Sequence, residues 1–266
     1  MDLSAATDDV LIEILLRLNN KDLIRNCTQV CHQWNSILSQ KQFWIQKCKK
    51  EGYVFYMTPL NSLDPIVWKK IAYKKPLNRN FIRDKWNPNG RFKKDDRWVW
   101  DSNPYNTGFV VEYPPIFLQP PESEYDVPGC LSTSHYWGKK HIRIDLVAEG
   151  LDPNVLDALC PTISVSELVS NRKDCAAIYK MKCHLRDEND VPIATESCDF
   201  STEVSWDQWA EEGWRKVEHE FKDYPAGVRY LFLECRGKDR QFWAGQYGAK
   251  MANCSVMVRS EFNRQT

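Results

Sequence analysis

Nucleophile, base and ligand residue types are all present in this chain, but their spacing defines no catalytic set. Cys175 and His184 could supply a thiol and an imidazole, yet no signature surrounds either residue. His184 falls on the polar side of an alternating run and is expected to be solvated. Cys27, Cys31 and His32 are close in sequence, but a four-residue cysteine spacing on a core-facing helix reads as small buried hydrophobes rather than metal ligands. Asp152 with Asp157, or Glu211 with Glu212, offers carboxylates for glycosidase chemistry, whose separation sequence does not give. A glycine-rich phosphate loop is missing from the sequence. The expectation is a non-catalytic chain with no metal site and no cofactor.

The elements around these residues change character along the chain. At 266 residues, the length suits a small module followed by one substantial domain. Val10, Leu11, Ile14, Leu15 and Leu18 recur at helical spacing, with Glu13 and Arg17 on the other side. Thr7 is the expected N-cap, placing Asp8 and Asp9 in a first turn that favours negative charge. Leu23, Cys27, Val30, Cys31 and Trp34 predict a second stripe on one face, and Phe43-Trp44-Ile45 closes the module. From about Trp98 the period becomes alternating. Ile142 to Leu146, Ala177 to Leu185, Val217 to Phe221, Val228 to Cys235 and Ser255 to Arg259 read as strands, with a short helix over Pro153 to Ala158. These predict an α+β chain: a small helical module over 1–50, a partly helical basic connector over 51–95 and an antiparallel β-sandwich of jelly-roll type over 96–266.

Charge and cysteine content narrow the setting. Residues 41–97 hold 15 Lys or Arg against 5 Asp or Glu, although the whole chain is neutral. This patch lacks a nucleic-acid recognition motif, so it reads as a solvated connector that meets acidic neighbours, and no nucleic-acid partner is expected. Within it, Trp68, Ile71, Tyr73, Leu77, Phe81 and Ile82 are apolar enough to pack. Ten cysteines without a Cys-x-x-Cys predict free thiols. The lack of a long apolar run or a basic-then-apolar N-terminus predicts no membrane span and a cytoplasmic location. There the sequons at Asn26 and Asn253 would stay unmodified.

Asp22-Leu23, Val30-Cys31-His32-Gln33-Trp34 and Phe43-Trp44 together resemble an F-box. Many F-boxes open with Leu-Pro, where this chain has Ala6-Thr7. The resemblance implies docking on a Skp-family adaptor and cullin of a ubiquitin ligase, through Leu11, Ile14, Leu15, Leu18, Leu23, Val30, Trp34 and Trp44. Ile144-Asp145-Leu146, Ala148-Glu149-Gly150, Tyr224 to Arg229 and Phe242 to Lys250 resemble the F-box-associated domain of glycoprotein-recognising F-box proteins, with a lead-in match at Leu77 to Ile82.

That second resemblance implies a site for the chitobiose core of an N-linked high-mannose glycan. The family's aromatic-Trp-Lys sequence falls on Phe242, Trp243 and Ala244, and a family phenylalanine falls on His135, for which Leu131 or Tyr136 could substitute. Aromatic rings can stack on the C–H face of a pyranose. Ala244 lacks the lysine's charged donor, a loss of about 1.5–3 kcal/mol, and Phe242 lacks a tyrosine hydroxyl. Trp243 also has a plain reading as a core ring stapling the last hairpin, and Trp206, Trp209 and Trp214 read as a local aromatic cluster in a surface loop with Asp207, Glu211 and Glu212. The implied role is a substrate receptor delivering glycoproteins for ER-associated degradation at the cytosolic face of the ER. An F-box receptor for an unglycosylated protein and a lectin-like module without a ligase role are the alternatives.

Overall fold

Capping signals every few residues divide the N-terminal region into short helices. A computed structural model of the chain describes residues 6–53, 64–101, 108–116, 125–209 and 213–260. They form two units, one of Met1–Arg79, Leu146–Thr162 and Val258–Thr266, the other of Asn80–Asp145 and Ile163–Met257.

In the first unit, α1 (Asp8–Leu15) starts from an extended Thr7 whose side chain makes no capping bond. The Asn19 side chain accepts from Asp22 N–H at 2.9 Å and so starts α2 (Asn20–Arg25). A 3₁₀ turn at Cys27–Gln29 precedes α3 (His32–Ser39) and α4 (Lys41–Lys50). That turn breaks the helical period and corrects the expected second stripe: Leu23 and Cys27 are buried, whereas Val30 and Cys31 are exposed.

Asp64 caps α5 (Pro65–Lys74), with Pro65 in the first turn, where its missing N–H costs nothing. Trp68 and Ile71 of this helix are buried, and the Cys48 thiol lies 3.8 Å from the Trp68 carbonyl. Polar groups fix the same packing: Asn20 Nδ2 donates to the Ala72 carbonyl at 2.7 Å and to Glu51 at 2.8 Å. Lys47 Nζ donates to the Leu16 and Leu18 carbonyls at 2.9 and 2.7 Å, satisfying acceptors at the end of α1. The helix α6 (Pro153–Leu159) buries Val155, Leu156 and Leu159 in this unit. Ahead of it, Gly150 passes so near α5 that a Cβ there would lie 2.7 Å from Lys74 Cβ. Packing thus continues across residue 50, where the sequence suggested a boundary.

The second unit is an antiparallel sandwich. A small hairpin pairs β1 (Lys85–Trp86) with β2 (Phe92–Lys93). One five-stranded sheet contains, in order, β10 (Arg215–Phe221), β7 (Ile163–Ser170), β12 (Lys250–Val258), β5 (Cys130–Ser132) and β4 (Val110–Glu112). The other contains β3 (Val99–Trp100), β6 (Gly138–Asp145), β11 (Tyr230–Asp239), β8 (Ala177–Arg186) and β9 (Asp199–Trp206). Alternation sets which residues fill the middle: Ile142 and Ile144, Tyr179, Met181, Cys183 and Leu185, and Leu231 and Leu233 are buried. Each such aliphatic side chain stabilises the fold by about 1.5–3 kcal/mol. Polar contacts also cross between the sheets. Lys140 of β6 and Tyr179 of β8 both donate to the buried Glu167 of β7, at 2.6 and 2.7 Å.

At the entry to this unit, Asp95 accepts from Arg97 through both carboxylate oxygens and from the Arg83 N–H at 2.8 Å. Burial acts to raise its pKa, but these donors outweigh it and hold the carboxyl at about 2. A carboxylate lowered on folding adds stability above its unfolded pKa of about 3.9 and loses it as pH falls through the folded value. Asp95→Asn is therefore expected to remove about 2–3 kcal/mol of stability at pH 7. Its acid-unfolding curve should also be flatter than wild type between roughly pH 4 and 2. Urea unfolding across that range measures both effects, and equal stability of the two proteins at pH 7 would refute them.

Candidate functional site

Two surfaces carry the residues singled out from the sequence, one on each unit. On the first, α1 divides its stripe between two environments. Leu11 and Leu15 face inward and are fully buried, as are Leu23 and Trp44, so these four support the module rather than meet a partner. This corrects their assignment to the adaptor surface: a side chain already enclosed by its own core has no area left to bury. Val10 is 50% exposed, and with Ile14 and Leu18 it lines an open apolar depression of about 570 Å³ rimmed by Asp9, Glu13 and Arg17. Val30 is exposed and Trp34 half-buried.

On the second unit, four loops meet at one end of the sandwich. Two strand ends bring the 133–137 and 239–249 loops together: Gly248 N–H donates to the Thr133 carbonyl at 2.8 Å, Thr133 N–H to Ala249 at 3.2 Å and Asp239 N–H to Ser134 at 2.9 Å. Gly248 is required there, because a Cβ would come within 2.4 Å of Thr133 Oγ1. The third loop joins through Gln241, whose side-chain oxygen accepts from Ala176 N–H at 2.8 Å and from the Cys175 thiol at 2.7 Å. The fourth follows β9. Its Trp209 N–H donates to the Lys173 carbonyl at 2.8 Å, and Gln208 Nε2 donates to Asp174 at 3.0 Å.

Asp239 organises the aromatic segment. One of its buried carboxylate oxygens accepts from the N–H groups of Gln241 and Phe242, at 3.0 and 2.7 Å. The turn holds Phe242 at φ 58°, a left-handed conformation rare for a bulky residue. Phe242 is 71% exposed and Trp243 38%, so Trp243 is not a core staple. The Trp243 ring meets Tyr247 edge-on at 5.5 Å, and the Arg172 guanidinium lies 4.2 Å from the other aromatic, Tyr247. Ala244 is exposed beside them.

His135 is half-buried and packs its ring 4.3 Å from the exposed Tyr136; its Nδ1 is buried with no hydrogen-bond partner among the described residues. Leu131 is buried, leaving Tyr136 as the ring available on that side. Sequence reading did not single out Lys238, whose Nζ lies 5.2 Å from the Trp137 ring and 5.6 Å from Phe242. The alternating register of β11 was its available signal.

The expected tryptophan cluster does not form: Trp206 is buried at the end of β9, Trp214 packs against Cys130, Leu168 and Ala252, and Trp209 stands exposed. Glu211 and Glu212 lie outside the described residues. The chemistry-bearing pairs also separate. Burial pushes the Cys175 thiol up to about 12, and its partner is Gln241 rather than His184, which receives a bond from Arg186 and stacks on Phe232. His184 is thus half-buried rather than solvated.

Glu167, Cys235 and Cys254 bring ligand-type atoms within 4.8 Å of one another. Lys140 already supplies the positive charge there, and burial pushes the Cys235 thiol far up. These groups do not suit a metal ion. A cavity of about 230 Å³ beside them, lined by Asn80, Asp84, Trp86 and Lys140, has its polar groups spent in the fold: Asn80 binds Ile82, Cys254 and Val256, and Asp84 binds Asp95 N–H and Trp98. Among the described residues, no helix is long and apolar enough to cross a membrane.

Comparison with known proteins agrees with this division. Residues 72–258 match the family model "F-box associated region" and residues 8–50 match "F-box-like". The chain is 31% identical to F-box only protein 6 of Bos taurus over 97% of this chain and 93% of that one. It is 28% identical to F-box only protein 44 of Homo sapiens, covering 94% of each. A solved β-sandwich, TmCBM61 in complex with β-1,4-galactotriose, aligns with 68% of this chain and all of its own at 10% identity and a TM-score of 0.38, too distant to inform on ligand. With helices matching the F-box and a sandwich matching the associated region, the chain belongs to the F-box-associated family as an F-box substrate receptor of SCF type.

Proposed function

We propose that this receptor recognises N-linked high-mannose glycoproteins through the loop end of its sandwich and presents them for ubiquitination in ER-associated degradation. The observation that carries the reading is the Phe242-Trp243 pair. Two large rings stand adjacent and exposed on a turn fixed by a buried carboxylate, where water gains nothing from them. Such rings suit the C–H faces of the chitobiose core. Ala244 provides no charge, but Lys238 Nζ near Phe242 supplies a cation to the same end. Tyr136 adds a further exposed ring across the loops.

On the first unit, Val10, Ile14, Leu18, Val30 and Trp34 form the surface offered to a Skp-family adaptor, which links the receptor to cullin. The setting of this role is the cytoplasm, at the cytosolic face of the ER where retrotranslocated glycoproteins emerge. The mechanism is proximity: holding the target near a ubiquitin-charged enzyme raises the effective concentration of its lysines.

Titration of the full chain with chitobiose and with a high-mannose glycoprotein, wild type beside Trp243→Ala, tests the reading. The substitution is expected to reduce affinity for both by about tenfold or more. Absence of binding by the folded wild-type protein would overturn it in favour of an unglycosylated protein target. Failure of an adaptor to co-purify with the chain would instead favour a lectin-like module acting without a ligase.

A further inference from the structure

We infer that Trp209 is a second aromatic subsite of the loop end, taking a saccharide unit beyond the one stacked at Phe242 and Trp243. The inference rests on the glycan reading above. Trp209 is 63% exposed, although it is among the largest apolar side chains in the protein. It is also held at φ 69°, a left-handed conformation that costs free energy in a residue of this size. Two bonds maintain this position: Trp209 N–H on Lys173 and Gln208 on Asp174. Phe242 has the same two properties, exposure and a left-handed backbone, on the neighbouring loop.

The two platforms share one support. The 172–176 turn holds Trp209 through Lys173, Gln241 through Ala176, and the Tyr247 ring through the Arg172 guanidinium. Trp243 rests edge-on against that Tyr247. The same loops carry paired hydrogen-bonding groups: Arg172 with Asp174 at 2.7 Å and Arg240 with Asp207 at 3.2 Å.

Separate exposed rings with planar donors and acceptors on the same loops suit a chain of pyranoses, whose C–H faces stack while their hydroxyls meet guanidinium and carboxylate edges. A protein segment docking on the rings through apolar side chains would instead tend to bury the charges of these loops, at a desolvation cost. The ligand class is therefore an oligosaccharide longer than chitobiose.

The full chain, purified with its adaptor, is titrated with chitobiose and with a free high-mannose oligosaccharide, comparing wild type, Trp209→Ala, Trp209→Phe and Trp243→Ala. Wild type should bind the longer sugar more tightly. Trp209→Ala should leave chitobiose affinity unchanged and weaken the longer sugar about three- to tenfold, with Trp209→Phe retaining most of the difference. Trp243→Ala should weaken both sugars. Equal loss of both sugars in Trp209→Ala would place its effect in loop distortion and overturn the subsite, as would no loss of either. Those outcomes leave the glycan reading standing when Trp243→Ala still weakens binding, whereas a folded wild type that binds neither sugar removes both.

Discussion

Ile14→Asp is expected to abolish capture of the adaptor while leaving the receptor folded, and Leu15→Asp to unfold the first unit outright. The two positions are neighbours on α1, yet Ile14 lines the open apolar depression and Leu15 is fully buried. A carboxylate at Ile14 remains solvated in the free protein and is desolvated only on docking. Affinity for the adaptor should fall by about 30- to 1000-fold, the effect of losing a central contact of about 2–4 kcal/mol. At Leu15 the carboxylate would enter the core of the first unit, at a cost of several kcal/mol, comparable with the stability of a small unit. Adaptor pull-down and circular-dichroism melting on the same samples measure the pair. Retained capture by a folded Ile14→Asp would move the docking surface elsewhere, and a native melt for Leu15→Asp would contradict the packing.

The second large effect concerns the sandwich interior. Lys140→Met should destabilise the sandwich by about 3–5 kcal/mol, because it removes the ammonium donor from the buried Glu167 and leaves it the Tyr179 hydroxyl. Burial opposes the charge on Lys140, but the Glu167 carboxylate 2.6 Å away raises its pKa above the ordinary lysine value. Lys140 is therefore expected to stay protonated throughout the physiological range. Adding Glu167→Gln to the variant removes the stranded charge and should restore part of the loss. Urea denaturation of the wild type and both variants provides the comparison. A loss below about 1 kcal/mol for Lys140→Met would mean that water or a neighbouring group takes over the ammonium's role.

Much of the fold was legible because periodicity is a local property. The alternation at Ala177 to Leu185 corresponds to β8, and the run from Val217 to Phe221 falls within β10. Two of the longer strands escaped that reading for opposite reasons. β7 alternates Ile163, Val165 and Val169, but its inward series contains Glu167, a carboxylate that Lys140 and Tyr179 make tolerable inside. β9 is an edge strand, mixed in polarity, with few apolar residues to mark it.

By itself the sequence determined that helices precede an antiparallel sandwich, and it placed the aromatic residues Phe242 and Trp243 side by side, because residue type and spacing set helix, strand and turn locally. Only the tertiary structure decided which apolar residues remain available. Leu11 and Leu15 share a helix with Val10 and Ile14, yet they are enclosed, since accessibility depends on which elements pack against each face. It likewise separated Trp209 from Trp206 and Trp214 and brought it to the loops bearing Phe242, through hydrogen bonds between residues more than thirty positions apart. Contacts of that range depend on how the strands pair across a sheet, which no local pattern records.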